Sequence, residues 1–211
     1  MSKRIAVLVS GGGTNLQALI DAQAANALGG GQITAVISSA EGAYALERAK
    51  KAGIPGYVLA RKGFSSNREM TLALVELLGQ LQIDLVVLAG CMVIFTRELS
   101  DAYPNAVMNV HPALIPSFCG QGFYGLHVHE AALRYGVKLT GATVHFVSEE
   151  CDGGPIVAQK SVAVLPGDTP ETLQKRVMEQ AEWKLLPEAV RLFCQDRLEV
   201  SGRTVVIKEE V

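Results

Sequence analysis

Apolar residues along this chain occur in short runs separated by amphipathic stretches and glycine-containing turns. Residues 4–9, 33–37 and 84–89 form runs rich in valine, isoleucine and leucine, as in strands buried on both faces of a parallel sheet. Helical patterns at 15–26, 43–52 and 67–81 lie between and around these runs, and residues 57–59 fit a short strand. This alternation predicts an α/β fold with a doubly wound, mostly parallel sheet.

The pattern changes after Gly90. A brief strand is predicted at 106–109 and a helix at 128–135, and the glycine-rich loop at 112–125 is expected to be mobile. Alternating residues at 140–147 and 156–164 predict longer antiparallel edge strands in the C-terminal half.

The C-terminal region begins with a strong helix start, Asp168-Thr169-Pro170-Glu171. The helix is predicted to run to about Cys194 with a bend at Pro187, and residues 203–207 to form a last strand. No linker or repeat interrupts the chain, so residues 1–211 are expected to form a single domain.

Composition narrows the class of protein. The chain has 211 residues, enough for one domain with a full core. Although 49% of them are hydrophobic, no apolar run reaches the length of a membrane span, and the N-terminus has no signal-peptide pattern. We therefore expect a cytoplasmic protein that binds no membrane. The net charge of -2 and the lack of a basic stripe argue against a nucleic-acid partner.

A glycine loop, residues 10–15 (Ser-Gly-Gly-Gly-Thr-Asn), connects the first predicted strand to the first helix. Glycines let a ligand approach the backbone, and a helix N-terminus attracts anions. The dinucleotide fingerprint fails because Leu16 stands at its third glycine, and no Gly-Lys-Ser/Thr completes a P-loop. The loop therefore favours a monophosphate over its alternative, a plain tight turn.

Two short segments carry the functional groups needed for acyl transfer: Asn109-Val110-His111-Pro112 and Asp152-Gly153-Gly154-Pro155. An amide and an imidazole can stabilise an oxyanion, and a carboxylate can hold the imidazole charged or collect a proton through water. The alternatives are a capping Asn, a structural His and an Asp-Gly turn. Thr143 and His145 share one face of the strand leading to Asp152, and we expect them to support it.

Other reactive side chains give weaker signals. His127 and His129 lack a completing carboxylate, so we expect surface or loop roles for them and no metal site. Cys91, Cys119, Cys151 and Cys194 form no C-x-x-C, which argues against a zinc knuckle or a disulfide framework. Cys151 is a conceivable nucleophile, but a packing role is favoured.

Five segments, taken together, resemble the folate-dependent glycinamide ribonucleotide formyltransferases. They are residues 10–19, 87–90, 108–112, 141–147 and 152–155. The resemblance covers the whole chain and implies formyl transfer from 10-formyltetrahydrofolate to the amine of glycinamide ribonucleotide in purine biosynthesis. It implies a phosphate-binding half at 1–90 and a folate-binding, catalytic half at 91–211, with no metal.

The same resemblance implies residue roles. Asn109, His111 and Asp152 would be catalytic, with Thr143 and His145 in support. The ribonucleotide would be held by Gly12, Gly13, Thr14, Asn15, Met92, Pro112, Glu179 and Glu182. The folate would be held by Arg68, Val93, Ile94, Phe95, Asn109, Val147, Ser148, Glu149 and Cys151.

This chain departs from the family pattern at three places. Val93 stands where many bacterial members have Arg, residues 118–125 form a longer loop, and the helix near Ala181 is one residue longer. A formyltetrahydrofolate hydrolase remains the main alternative, although it usually has an extra N-terminal regulatory domain. A methionyl-tRNA formyltransferase would carry a basic C-terminal domain, and a nucleotide-sensing module would not need the Asn-His-Asp set. The expected partners are small-molecule substrates, and the expected state is a monomer or homodimer.

Overall fold

The computed structural model describes residues 2–209, and its strands form one nine-stranded sheet. The strands are β1 (Arg4–Val9), β2 (Gln32–Ser38), β3 (Gly56–Val58), β4 (Leu85–Leu88), β5 (Val107–His111), β6 (Leu139–Phe146), β7 (Ile156–Ala163), β8 (Leu198–Ser201) and β9 (Thr204–Ile207). Their order across the sheet is β3-β2-β1-β4-β5-β6-β7-β9-β8.

Seven α-helices connect and cover these strands. They are α1 (Thr14–Ala24), α2 (Tyr44–Lys51), α3 (Asn67–Gln80), α4 (Arg97–Ala102), α5 (Leu126–Tyr135), α6 (Pro170–Val177) and α7 (Trp183–Cys194). A 3-10 turn occupies Arg61–Gly63, and a π turn at Met178–Glu182 joins α6 to α7.

The first five strands run parallel to one another, and helices cover both faces of the sheet. On β1, Ile5 and Val7 pack into one core with α1, α2, α6 and α7, while Ala6 and Leu8 pack into a second core with α3 and α4. Both faces of β1 are buried, which is why its sequence is continuously apolar. The predicted doubly wound α/β sheet is confirmed.

The antiparallel strands are present, but their predicted position at the sheet edge is wrong. β6 pairs antiparallel with β5 and β7, and β7 is covered in turn by β9, so both β6 and β7 are internal. The outer strand on this side is β8, which was not predicted because its sequence, Leu-Glu-Val-Ser, contains only two apolar residues. The six-residue helix α4 was missed for the same reason.

The long C-terminal helix is interrupted at the π turn, and Pro187 lies inside α7, where the bend stays a prediction. A π turn holds more residues than an α turn and often marks a functional site. It lies around Ala181, where the helix is one residue longer than the family pattern.

Candidate active site

A cavity of about 750 Å³ opens at the carboxyl ends of β4 and β5, where open α/β sheets bind their ligands. Its walls come from the start of α1, the end of β5, the α6–π region, and the segments 90–95, 120–125 and 147–152. The volume is that of a typical small-molecule site.

Asn109 and His111 lie on one side of β5, two residues apart, and both line the cavity. Pairing with β6 sets Asn109 opposite His145 and His111 opposite Thr143. The sheet thus brings four residues from two strands together at one point.

Asp152 joins this group from the turn between β6 and β7. Its φ of 55° lies in the left-handed region, which Asp tolerates better than most residues. Gly154 is required beside it, because a Cβ there would collide with the carbonyl oxygen of Phe146. The turn therefore lies tightly against the end of β6 and directs Asp152 into the cavity.

The Asp152 carboxylate is the centre of the cluster. Its Oδ2 accepts the N–H of Gly120 at 2.9 Å and lies 3.5 Å from His111 Nδ1. Its Oδ1 lies 3.4 Å from Asn109 Nδ2 and 3.5 Å from His145 Nε2. Burial alone would raise the pKa of Asp152, but His145, His111 and Gly120 together lower it below its usual value. The carboxylate is therefore ionised at neutral pH.

His111 is 4% exposed and lies between two acceptors. Its Nε2 donates to the Phe118 carbonyl at 2.8 Å, and its Nδ1 faces Asp152. Burial lowers the pKa of His111, and Asp152 offsets this only in part. This direction is opposite to the expectation that Asp152 holds His111 permanently charged.

The two supporting residues do different things. His145 Nδ1 donates to the Phe146 carbonyl at 2.9 Å, which leaves Nε2 beside Asn109 Nδ2 at 3.2 Å and near Asp152. Thr143 instead donates to the Ala113 carbonyl at 2.7 Å and accepts the Ile115 N–H at 3.1 Å. Thr143 thus anchors the start of the 112–125 loop, and the Gly120 N–H of that loop binds Asp152. That Thr143 supports Asp152 stays a prediction.

The glycine loop reaches the cavity at the start of α1. Thr14 and Asn15 line the cavity, whereas Gly12 and Gly13 do not. Gly13 has a φ of 71° and forms the N-cap of α1, and among the described residues no side chain caps this helix end. A Cβ on Gly13 would lie 2.6 Å from Ala45 Cβ, whereas one on Gly12 would meet no atom within 4 Å. Packing therefore requires the glycine at 13, whereas Gly11 and Gly12 leave open space for a ligand.

Comparison with known proteins identifies the family. The formyl transferase family model matches residues 3–190. The chain belongs to the formyl transferase family. It is 42% identical to the phosphoribosylglycinamide formyltransferase of Haemophilus influenzae over 196 residues. These cover 93% of this chain and 89% of the Haemophilus influenzae protein.

Two further members of the formyl transferase family extend the comparison. The chain is 40% identical to the human trifunctional purine biosynthetic protein adenosine-3. The match covers 98% of this chain and 20% of the human protein. It superposes on the crystal structure of glycinamide ribonucleotide transformylase 1 from Symbiobacterium toebii with a TM-score of 0.93 and 41% identity, covering 99% of this chain and 95% of that chain.

The two glutamates taken from the family pattern have different environments. Glu182 is 5% exposed, lines the cavity, and accepts a 2.6 Å hydrogen bond from Asn15 Nδ2. Burial raises its pKa. Glu179 is exposed, pairs with Lys175 at 3.8 Å, and does not line the cavity. The π turn therefore separates two residues that were expected on one face.

Most of the other family-derived residues line the cavity. They are Met92, Val93, Ile94, Phe95, Pro112, Val147, Ser148, Glu149 and Cys151. Arg68 does not; it forms a 2.6 Å ion pair with Glu98 on α4. Gln174, Met178 and the 120–125 segment also line the cavity and were not predicted, since no local motif marks them.

His129 was expected at the surface, and this is wrong. It is fully buried, lines the cavity, and neither ring nitrogen has a hydrogen-bond partner within residues 2–209. Burial, with a smaller contribution from His111, lowers its pKa to about 4. The sequence offered one signal of this burial: His129 lies three residues before Ala132, which places both on the same face of the helix. His127 is exposed and pairs with Glu130 at 3.1 Å.

Among residues 2–209, no group of three or more His, Cys, Asp and Glu side chains is arranged to hold a metal ion. Nor does any helix in that range combine the length and apolar character that crossing a membrane requires.

Proposed function

We propose that this protein transfers the formyl group of 10-formyltetrahydrofolate to the amine of glycinamide ribonucleotide, in the cytoplasm, as a step of purine biosynthesis. One observation carries the proposal. Asn109, His111 and Asp152 meet between an uncapped helix N-terminus on one side and an apolar segment, residues 90–95, on the other. The helix N-terminus would bind the formyl acceptor, the ribonucleotide, and the apolar segment would bind the formyl donor, the folate.

The glycine loop and α1 suit the ribonucleotide. The partial positive charge of a helix N-terminus favours a phosphate, and Gly12 leaves space for one. Thr14, Asn15 and buried Glu182 then face the sugar, because all three line the same side of the cavity. We assign Met92 and Pro112 to the wall beside the reacting amine.

The apolar segment suits the pterin ring of the folate. Val93, Ile94 and Phe95 form one wall, and Val147 with the following turn forms another. Flat aromatic ligands are held by such apolar walls with a few polar groups at the edges. With Val93 in the position of the family's Arg and Arg68 paired with Glu98, the folate tail would meet no free guanidinium from these two positions.

Asn109 stabilises the oxyanion in this proposal. As the amine attacks the formyl carbon, negative charge develops on the formyl oxygen, and an amide N–H is a suitable donor to it. The 3.4 Å bond from Asn109 Nδ2 to Asp152 Oδ1 is long, so replacing that acceptor by the oxyanion costs little.

His111 is the second donor. Its Nε2–H is bonded to the Phe118 carbonyl, so donation to the formyl oxygen requires the 112–125 loop to shift that carbonyl. Ionised Asp152, 3.5 Å from His111 Nδ1, stabilises any positive charge that forms on the ring. Through water it collects the proton that the amine loses, and the leaving folate nitrogen receives one.

A formyltetrahydrofolate hydrolase would use the same three residues with water as the acceptor, and one assay separates the two activities. The purified protein is incubated with 10-formyltetrahydrofolate, with and without glycinamide ribonucleotide, and loss of the formyl group is followed. We expect loss only when the ribonucleotide is present. Equal loss without it would establish the hydrolase instead.

A further inference from the structure

The three glycine carbonyls of the glycine loop are all bonded to protein groups. Gly11 O accepts the N–H of Ala45 at 3.0 Å, and Gly13 O accepts the N–H of Gln17 at 2.9 Å. Gly12 O accepts Nε of Arg48 at 2.8 Å. In a trans peptide the C=O and the next N–H point in opposite directions. The N–H groups that follow these carbonyls are therefore turned away from the protein partners, as in anion-binding backbone nests.

Only one of these three bonds comes from a side chain, and it is held firmly. The Arg48 guanidinium also donates to Gln17 Oε1 at 2.9 Å and lies 5.1 Å from the centre of the Tyr44 ring. A charge-assisted bond of this kind is stronger than a neutral one. Arg48 therefore fixes the orientation of the Gly12–Gly13 peptide from the back of the loop.

The charge on Arg48 also matters because the cavity has no cation of its own. Among the described residues that line it, the Lys and Arg types are absent, and the acidic side chains are Glu149, Glu150, Asp152 and Glu182. A phosphate that enters this acidic surface needs a compensating positive charge nearby. Arg48, bonded directly to the glycine loop, supplies it.

We propose that Arg48 is the positioning residue for the substrate phosphate: it holds the Gly12 carbonyl away from the anion and places a positive charge behind the loop. This inference rests on the proposed ribonucleotide substrate. A Gly12 carbonyl released from Arg48 could turn toward the phosphate and repel it. Loss of Arg48 would therefore remove both the peptide orientation and the positive charge.

The test compares glycinamide ribonucleotide with its dephosphorylated riboside. For wild type, Arg48→Met, Arg48→Lys and Lys51→Met, kcat/KM is measured with each substrate, and KM is measured for the folate. Lys51→Met is the matched control, because Lys51 is a cation on the same helix that also contacts the Tyr44 ring, at 5.8 Å.

We expect Arg48→Met to reduce the preference for the phosphorylated substrate by about tenfold or more, the loss of one charged hydrogen bond. The folate KM should change less than twofold, Arg48→Lys should be intermediate, and Lys51→Met should match wild type. General damage to the protein would lower kcat/KM equally for both substrates. An unchanged ratio of the two kcat/KM values in Arg48→Met would overturn the inference. If Arg48→Met does not fold, an unchanged ratio in Arg48→Lys would do the same. A wild-type protein with no phosphate preference would instead overturn the proposed function on which it rests.

Discussion

The glycine loop and the Asn-His-Asp cluster, which both adjoin one cavity, are built in different ways. The loop is six consecutive residues whose backbone is proposed to bind the phosphate, and it is oriented by α1, α2 and Arg48. The cluster is made of side chains, and Asn109 and Asp152 are 43 positions apart in the chain. A backbone site needs a local conformation, whereas a side-chain site needs correct pairing of distant strands.

Their electrostatics differ as well. The loop combines a helix N-terminus with a guanidinium and is suited to an anion. The cluster contains one ionised carboxylate, that of Asp152. Burial disfavours the charged form of His111 in the cluster and of His129 nearby. We therefore expect changes in the cluster to affect turnover and acid stability, and changes in the loop to affect substrate affinity.

The largest effect is expected for Asp152→Asn. The amide keeps the volume and can still accept the Gly120 N–H, but it cannot accept a proton or stabilise a charged ring. Turnover should fall by roughly two to four orders of magnitude with little change in melting temperature. Steady-state rates and thermal unfolding test this, with Glu130→Gln, an exposed acid on α5, as the control. Normal turnover in the folded variant would remove Asp152 from the mechanism.

Acid should destabilise the protein through His129. Its pKa is about 4 when folded against 6.5 as the reference value, so the unfolded chain takes up the proton first as the pH falls. The stability contribution of the neutral ring is present above pH 6.5 and is lost toward pH 4, up to about 3 kcal/mol. Urea unfolding at pH 7 and pH 4.5 should show a smaller pH-dependent loss in His129→Leu than in wild type. His127→Leu, on the exposed side of the same helix, should keep the wild-type slope, and identical slopes in all three proteins would contradict the assignment.

The glycine loop offers a matched pair of substitutions. Gly12→Val should raise KM for the ribonucleotide roughly tenfold and leave the melting temperature near wild type, because its side chain enters open space where phosphate would lie. Gly13→Ala should instead lower stability by about 1–2 kcal/mol, since its φ of 71° and Ala45 both oppose a Cβ. Calorimetry with each substrate and thermal unfolding separate the two effects. Equal loss of affinity for both substrates in Gly12→Val would mean that the loop is only structural.

A smaller effect is expected at Cys151, which adjoins the cluster without belonging to it. Burial and the neighbouring Asp152 raise the pKa of its thiol, which disfavours the nucleophilic thiolate. Cys151 is exposed, so the packing role expected from the sequence is wrong. Cys151→Ala should keep turnover within about twofold of wild type, as expected for the substitution of an exposed side chain. Mass spectrometry of the protein with folate alone should find no formyl adduct, and an adduct at Cys151 would replace direct transfer with a covalent route.

Removal of metal ions is expected to change nothing. Neither the spacing of the histidines nor any side-chain group within residues 2–209 matches a metal site. Turnover is measured before and after dialysis against a chelator. Activity that disappears and returns only on addition of zinc would contradict this prediction.

Local sequence predicted the parts of this molecule that depend on neighbours in the chain. The apolar runs gave the parallel strands, and the glycine loop, the 109–112 segment and the 152–155 segment were recognised by their residues. Short elements such as α4 and β8 were missed because each contains only two apolar residues, whereas the four-residue strands β4 and β9 contain three or more.

What the sequence determined by itself is the α/β class, the loop at the start of α1 and the types of side chain proposed for catalysis. Only the tertiary structure decided which residues meet. β5–β6 pairing brings His145 into the cluster, the π turn sends Glu182 into the cavity and Glu179 to the surface, and helix packing buries His129. The physical reason is that backbone conformation depends on adjacent residues, whereas burial, pKa and side-chain contacts depend on atoms that lie far away in the chain.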